Sequence, residues 1–384
     1  MKNRRVRTGM WIGVAVLCVV YGPMAIEYTL RFFSPHAPAL WDTTFASVVG
    51  DRIVYGEGSV HRDQRAAYEN SLGWLLVHTI GGGLAILLGI TQFSQRFRTR
   101  YPHIHRRVGR TQVGIVIISM IAAIAYLIRT GPEGTFSGPA FYLQLWALAL
   151  GTLATSILAV VAIMRGQVRV HQALMTANFA LLLSAPLLRI GYLVFGLAWP
   201  DTTHDVINVA SAEAVPLVLL LGAFVAIRAS DTRRISRANQ PITVPMWVSA
   251  TIYLSSLLAL ILLVVAVRSH IGAVDRLLAT HLVTYVIALA VVAVMRHQAQ
   301  RDGDLIGAGE CRVTHLGLVA APAAFAALWA IYAVPFTVSE AFYGATLTGA
   351  AVTFFAAYGV VTWNRRTVTR AGTGSAARQP ATPS

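Results

Sequence analysis

Among the 384 residues, a few polar side chains stand inside long apolar stretches, where chemistry is forced on them. His78, Gly82, Ala85, Gly89 and Gln92 recur at spacings of four and three within Gly73 to Phe93. On a helix these five share one face. Each is polar or small, where a lipid-facing surface carries Leu, Ile and Val. A face that bare admits close approach of a second helix and turns the His and Gln toward protein or an aqueous cavity. His78 has two readings, a hydrogen-bonded packing histidine or a titrating group.

A second polar line follows. His171, Asn178 and Arg189 are separated by seven and eleven residues. At ~100° per residue they fall within roughly 20° of one helix face. Pro186 should kink that helix and free a backbone carbonyl. An arginine inside a membrane needs a partner. Glu213, in the next apolar stretch, is the natural one, and Glu27 the alternative. With His78 at similar depth, these residues would form one polar cluster in the outer part of the membrane. The competing reading is a purely structural Arg189–Glu213 ion pair.

The segment Gln95–Arg110 reads QRFRTRYPHIHRRVGR. Arg106, Arg107 and Arg110 suit a cytoplasmic basic loop that fixes topology and meets lipid headgroups. A sharper reading uses His105 and His171. Both would lie at the inner ends of neighbouring spans, and two neutral imidazoles at matching depth can hold a haem iron axially. Haem b is the cofactor this pair would take; a quinone is the other redox ligand considered. Gly-rich phosphate loops, HExxH, Cys/His zinc sets and nucleophile elbows are missing from the sequence, so no metal site of those kinds is expected. Cys18 and Cys311 are read as unpaired, the first in a span and the second in an inside loop.

These residues must be positioned by membrane helices. The chain is 56% hydrophobic and 12% charged, against about a quarter charged in soluble domains. Ten apolar runs are long enough to span a bilayer. They are Met10–Leu30, Gly73–Phe93, Thr111–Arg129, Ala140–Met164, Ala173–Leu197, Val209–Ala229, Met246–Val267, Leu277–Met295, His315–Val334 and Gly344–Trp363. The fold class is therefore all-α and polytopic. With the N-terminus inside, 23 of the 31 Lys and Arg fall in cytoplasmic segments and seven in exterior ones, with Arg189 inside a span. That bias places both termini in the cytoplasm of a bacterial inner membrane. The net charge of +15 follows from the same arginines, so the partner is the lipid bilayer rather than nucleic acid. The start of the chain also resembles a signal peptide, but the cleavage pattern Pro23-Met24-Ala25 is poor, which favours an uncleaved first span.

The organisation expected is a first span over 1–30 and an exterior loop or cap over 31–72. A core membrane domain of five spans follows over 73–229, then a cytoplasmic linker over 230–245. A four-span region over 246–363 and a disordered tail over 364–384 complete the chain.

At the polar positions the chain resembles the bacterial family of predicted multi-pass membrane proteins classed as a domain of unknown function (two-three-zero-six). That family's pattern is a span with His and small residues ending in Gln-Phe, a basic loop with His-Arg-x-x-Gly-Arg, and a span opening on His and Met and closing on Leu-Arg. The matching residues are His78, Gly82, Gly89 and Gln92-Phe93; His105-Arg106 with Gly109-Arg110; and His171, Met175, Phe179-Ala180 and Leu188-Arg189. Gln172, Leu174 and Ala177 depart from the pattern, where relatives carry Arg, Trp and Arg. The resemblance covers about Gly73 to Gly191 and implies a membrane fold and a set of residues that matter, without an activity. Three functions stay open: proton or electron transfer with haem or quinone, binding or transport of an anionic small molecule, and structural assembly without turnover.

Overall fold

Apolar runs of this length have one economical form in a bilayer, because each backbone N–H and C=O must be bonded within its own segment. The computed structural model describes residues 2–34, 36–230 and 241–366, and its regular structure there is helical throughout. Nine helical segments among the described residues are long and apolar enough to cross a membrane, and a bent pair of helices passes the same test when its halves are taken together. The protein is thus a multi-pass membrane protein. Most of the expected linker and nearly all of the expected tail lie outside the described residues.

The first crossing is α1 (Lys2–Tyr28), extended by a 3-10 turn over Thr29–Phe32. Four short helices follow, α2 (Leu40–Val49), α3 (Asp51–Tyr55), α4 (Val60–Asp63) and α5 (Arg65–Asn70). They bury Trp41, Phe45, Ile53 and Val54, so this segment is a folded cap. Then come α6 (Leu72–Gln92), the short α7 (Gln95–Arg100), α8 (Pro102–Thr130) and α9 (Gly138–Met164). The fifth crossing is split into α10 (Val168–Leu182) and α11 (Ser184–Ala198), bent by 41°. The remainder is α12 (His204–Ser230), α13 (Met246–Ala266), α14 (Arg276–Arg301), α15 (Leu305–Val319) with α16 (Ala321–Tyr332), and α17 (Val338–Asn364).

Two helix starts differ from expectation. The basic segment is mostly helical, because Pro102 sits in the first turn of α8, where its missing N–H costs nothing. His105 is therefore on a helix rather than in a loop. The ninth crossing likewise starts at Leu305, where the Asp304 side chain accepts the Gly307 N–H and caps it. Cys311 consequently lies within α15; both cysteines are free and buried.

Burial sorts the bundle. In α12 and α17, 67% and 61% of the apolar window is buried within the protein, against 11% in α13. So α12 and α17 form the centre, and α13 turns Leu254, Leu257, Leu258 and Ile261 outward, as lipid contact requires. Helix α17 packs on α9, α10 and α12 as well as on its neighbours α15 and α16.

The cap ties one end of the bundle together. Gln64 donates to the Gly134 carbonyl at 2.9 Å, and Arg129 donates to the Asn70 carbonyl at 2.9 Å. Asp205 N–H reaches the Gly58 carbonyl at 2.9 Å, and Arg52 bonds the Pro200 carbonyl. Cap, α8–α9 loop and α11–α12 loop therefore share one face. Within the cap, Asp42 binds Arg31 and accepts from His61 Nε2 at 3.1 Å. Burial opposes its ionisation, yet the His61 hydrogen bond and the Arg31 charge outweigh it and hold the carboxyl below the usual aspartate range.

Candidate functional site

At the end opposite the cap, α7, α8, α10 and the ends of α12 and α17 enclose a cavity of about 1270 Å³. Its walls carry Gln92, Arg98, His105, Arg106, Arg110 and His171. The two histidines come from different helices, α8 and α10, and stand within electrostatic reach of each other. His171 Nδ1 donates to the Ala159 carbonyl of α9 at 2.9 Å. That bond fixes the tautomer and leaves the Nε2 lone pair available. His105 Nδ1 is buried without a hydrogen-bond partner. Arg107, grouped with its neighbours by sequence, is exposed and does not line the cavity. Gln92 bonds Thr91 at 3.1 Å and packs against Gly109.

One residue of this region had no signal in its own neighbourhood. Glu310 is buried and binds two arginines: Arg365 through Nε at 2.9 Å and Nη2 at 2.7 Å, and Arg228 at 3.0 Å. Arg228 also bonds Asp304. Two carboxylates thus neutralise two guanidiniums beside the cavity, a charge-assisted and partly bidentate set.

The His78 stripe packs as a helix interface, with a changed membership. His78 Nδ1 donates to the Ser119 carbonyl at 3.2 Å, and Ser119 Oγ donates back to the His78 carbonyl at 2.9 Å. This joins α6 to α8 as a packing histidine would. Close backbone approach occurs at Gly89, where an added Cβ would lie 2.2 Å from the Phe179 ring, and at Gly81 and Gly83. Gly82 meets nothing within 4 Å. The second position of the stripe is thus one residue away from where the neighbours come near.

The line of His171, Asn178 and Arg189 is broken by the bend before Pro186. His171 and Asn178 both face α9: the Asn178 amide donates to the Thr152 carbonyl at 2.8 Å and to Ser156 Oγ at 2.8 Å. Arg189, beyond the bend on α11, faces elsewhere. Its guanidinium lies 5.1 Å from the Tyr192 ring and 5.5 Å from the Trp41 ring.

The expected Arg189–Glu213 pair is not formed. Glu213 is fully buried on α12 and points to the other side of the bundle, where His281 Nδ1 donates to it at 2.9 Å and Thr346 Oγ1 also donates. It links α12 to α14 and α17. Glu27 is no substitute: it faces Arg31 and the Leu40 backbone, with Oε1 buried and unpartnered. The single outer cluster read from the sequence therefore resolves into three separate sets, at His78, at Arg189 and at Glu213. The kink that sequence reading foresaw at Pro186 is what parts Arg189 from the rest.

Residues 75–226 match the model of a family described as a predicted membrane protein (DUF2306), the family that the motifs resemble. The matched stretch runs from α6 through most of α12. It contains His78, His105, His171, Arg189 and Glu213, while His281, Glu310 and Thr346 lie outside it. No curated protein and no solved structure matches the chain.

Proposed function

We propose that the cavity beside α8 and α10 holds a non-covalent haem, whose iron His105 and His171 would bind, in a bacterial inner-membrane protein that transfers electrons. The observation that carries this reading is the pair of imidazoles on one cavity wall, from two helices, one of them already oriented by a backbone carbonyl. The unpartnered His105 Nδ1 supports it, since a buried ring nitrogen without a partner is a free lone pair or an unmet donor. The cavity volume of about 1270 Å³ suits a large planar ligand. Two free cysteines far apart in sequence supply no thioether attachment, so the group would be held by its ligands and its surroundings.

The chain's residues would divide the work. His171 is oriented by Ala159 and needs no rearrangement to present Nε2. Arg98, Arg106 and Arg110 give the mouth a positive balance that suits carboxylate substituents. Gln112, buried with Oε1 unpartnered, adds a further polar atom to the lining. When bound, haem supplies one-electron chemistry.

Purified protein should show a Soret band that shifts on dithionite reduction. His105→Ala and His171→Ala should each abolish the same band, because one lost ligand leaves the iron weakly held. Wild-type protein with no Soret band, even after expression with added haem, would overturn the proposal.

A further inference from the structure

At the cap end, polar groups gather that the bundle does not satisfy. Arg189 lies between α1, α2 and α11, beside the rings of Trp41 and Tyr192, and hydrogen-bonds the Tyr192 phenol oxygen. The phenols of Tyr21, Tyr28, Tyr68 and Tyr192 all stand within electrostatic reach of it. The carboxylates that could neutralise it are committed elsewhere. Asp42 is held by Arg31 and His61, Glu213 by His281 and Thr346, and Glu27 faces Arg31.

Orphaned atoms collect around the same place. Glu27 Oε1 and Arg31 Nε are buried without a hydrogen-bond partner. His204 is 4% exposed, packs edge-on against Tyr192 at 4.9 Å, and has both ring nitrogens unpartnered. Native interiors leave few such atoms, and each calls for an explanation. Arg189 and the three tyrosines Tyr21, Tyr28 and Tyr68 nevertheless keep partial exposure at this depth. So these side chains reach the edge of the packed bundle rather than its sealed interior.

We infer that Arg189 and the surrounding tyrosines form a binding site for an organic carboxylate with an aromatic or apolar body. The guanidinium supplies the charge and the fork geometry that a carboxylate matches. Phenol hydroxyls supply further donors, and the rings of Trp41 and Tyr192, backed by buried Phe45, supply flat apolar surface beside the guanidinium. A bound anion would neutralise an arginine that the protein itself leaves without a carboxylate, which is the usual requirement for such a residue in a membrane. The site lies at the opposite end of the bundle from the cavity at His105 and does not depend on what that cavity holds.

The test uses the full chain in nanodiscs, with benzoate as probe and benzamide as its neutral counterpart. Benzoate should raise the melting temperature saturably, and benzamide should not. Arg189→Gln should lose that response, raising half-saturation at least tenfold. Should Arg189→Gln fail to fold, the double variant Tyr28→Phe, Tyr68→Phe keeps the rings and the arginine while removing two donors. It should raise half-saturation several-fold. The inference is overturned if benzoate gives no shift, if benzamide matches it, or if the response persists undiminished in Arg189→Gln or, where that variant does not fold, in the double tyrosine variant.

Discussion

At the basic end of the bundle, Arg228 and Arg365 converge on Glu310, with Asp304 completing the set. At the cap end, Arg189 meets aromatic rings, and the carboxylates near it are engaged with other groups. Both ends bury arginine, but only the first closes its charges internally. An internally closed set is a strut: removing any member leaves a charge in low dielectric. An arginine held by rings gains a modest cation–π contribution, on the order of 0.5–2 kcal/mol; Arg189 adds a hydrogen bond to the Tyr192 phenol and has no carboxylate on its fork. The two ends should therefore answer mutation in opposite ways.

The largest effect is expected at Glu310. Glu310→Leu leaves two guanidiniums facing each other beside the cavity and should cost about 3–5 kcal/mol, the usual penalty for breaking a buried pair. Arg189→Leu removes a charge that has no carboxylate partner, so it should cost little or even raise the folded fraction without ligand. Thermal melting of detergent-purified protein, with folded yield by size-exclusion, separates the two. Equal losses at both positions would break the comparison and show that Arg189 is a structural residue.

An intermediate effect is expected at Glu213. This carboxylate accepts from His281 and Thr346, both from the C-terminal helices. Glu213→Leu strands the His281 donor, while Thr346 Oγ1 keeps the Tyr343 carbonyl at 2.8 Å, and should cost roughly 1–3 kcal/mol. Glu213→Leu combined with His281→Leu should recover part of it, because the stranded imidazole is gone and the threonine keeps the Tyr343 carbonyl. A double variant no better than the single would show that His281 contributes no coupling. Arg189→Leu in place of His281→Leu should give no recovery, since the two residues face different sides of the bundle.

This partition shows what the sequence disclosed and what it hid. The nine to ten apolar helices and the bend near Pro186 were legible, because hydropathy and proline geometry act locally along the chain. Facing was not. The rule of ~100° per residue holds only while a helix is continuous, and the bend at Leu183 reset it between Asn178 and Arg189. Pairing was harder still. His281 was visible as a polar residue inside a span, but its meeting with Glu213 depends on α14 lying against α12, which no spacing encodes. Glu310 shows the same limit. It was counted within an inside segment, where a carboxylate calls for no partner. Only the extension of the helix to Leu305 carried it into the protein, against Arg365 from 55 residues away. In the stripe on α6, small residues were legible as a packing face, but whether Gly81 or Gly82 meets a neighbour depends on the crossing of α6 over α8.

The smallest effect concerns why Arg189 lacks a carboxylate at all. Asp42, next to Trp41 in the cap, is committed to Arg31 and His61, whose side chains keep 23% and 28% exposure. Water therefore screens part of the interaction, and Asp42→Asn should cost only about 1 kcal/mol. The folded carboxyl lies below the usual value of about 3.9, so the folded state binds fewer protons than the unfolded one. Its contribution is fully present above pH ~4 and is lost as pH falls through the folded value. Hydrogen exchange in α2 should rise reversibly below pH ~4 in the wild type, and Asp42→Asn should remove that added pH dependence. If Asp42 serves Arg31 and His61 alone, Asp42→Asn and Arg189→Leu should add within about 0.3–0.5 kcal/mol. A larger coupling would mean that Asp42 also neutralises Arg189, and the cap end would then be a closed charge set like the one at Glu310.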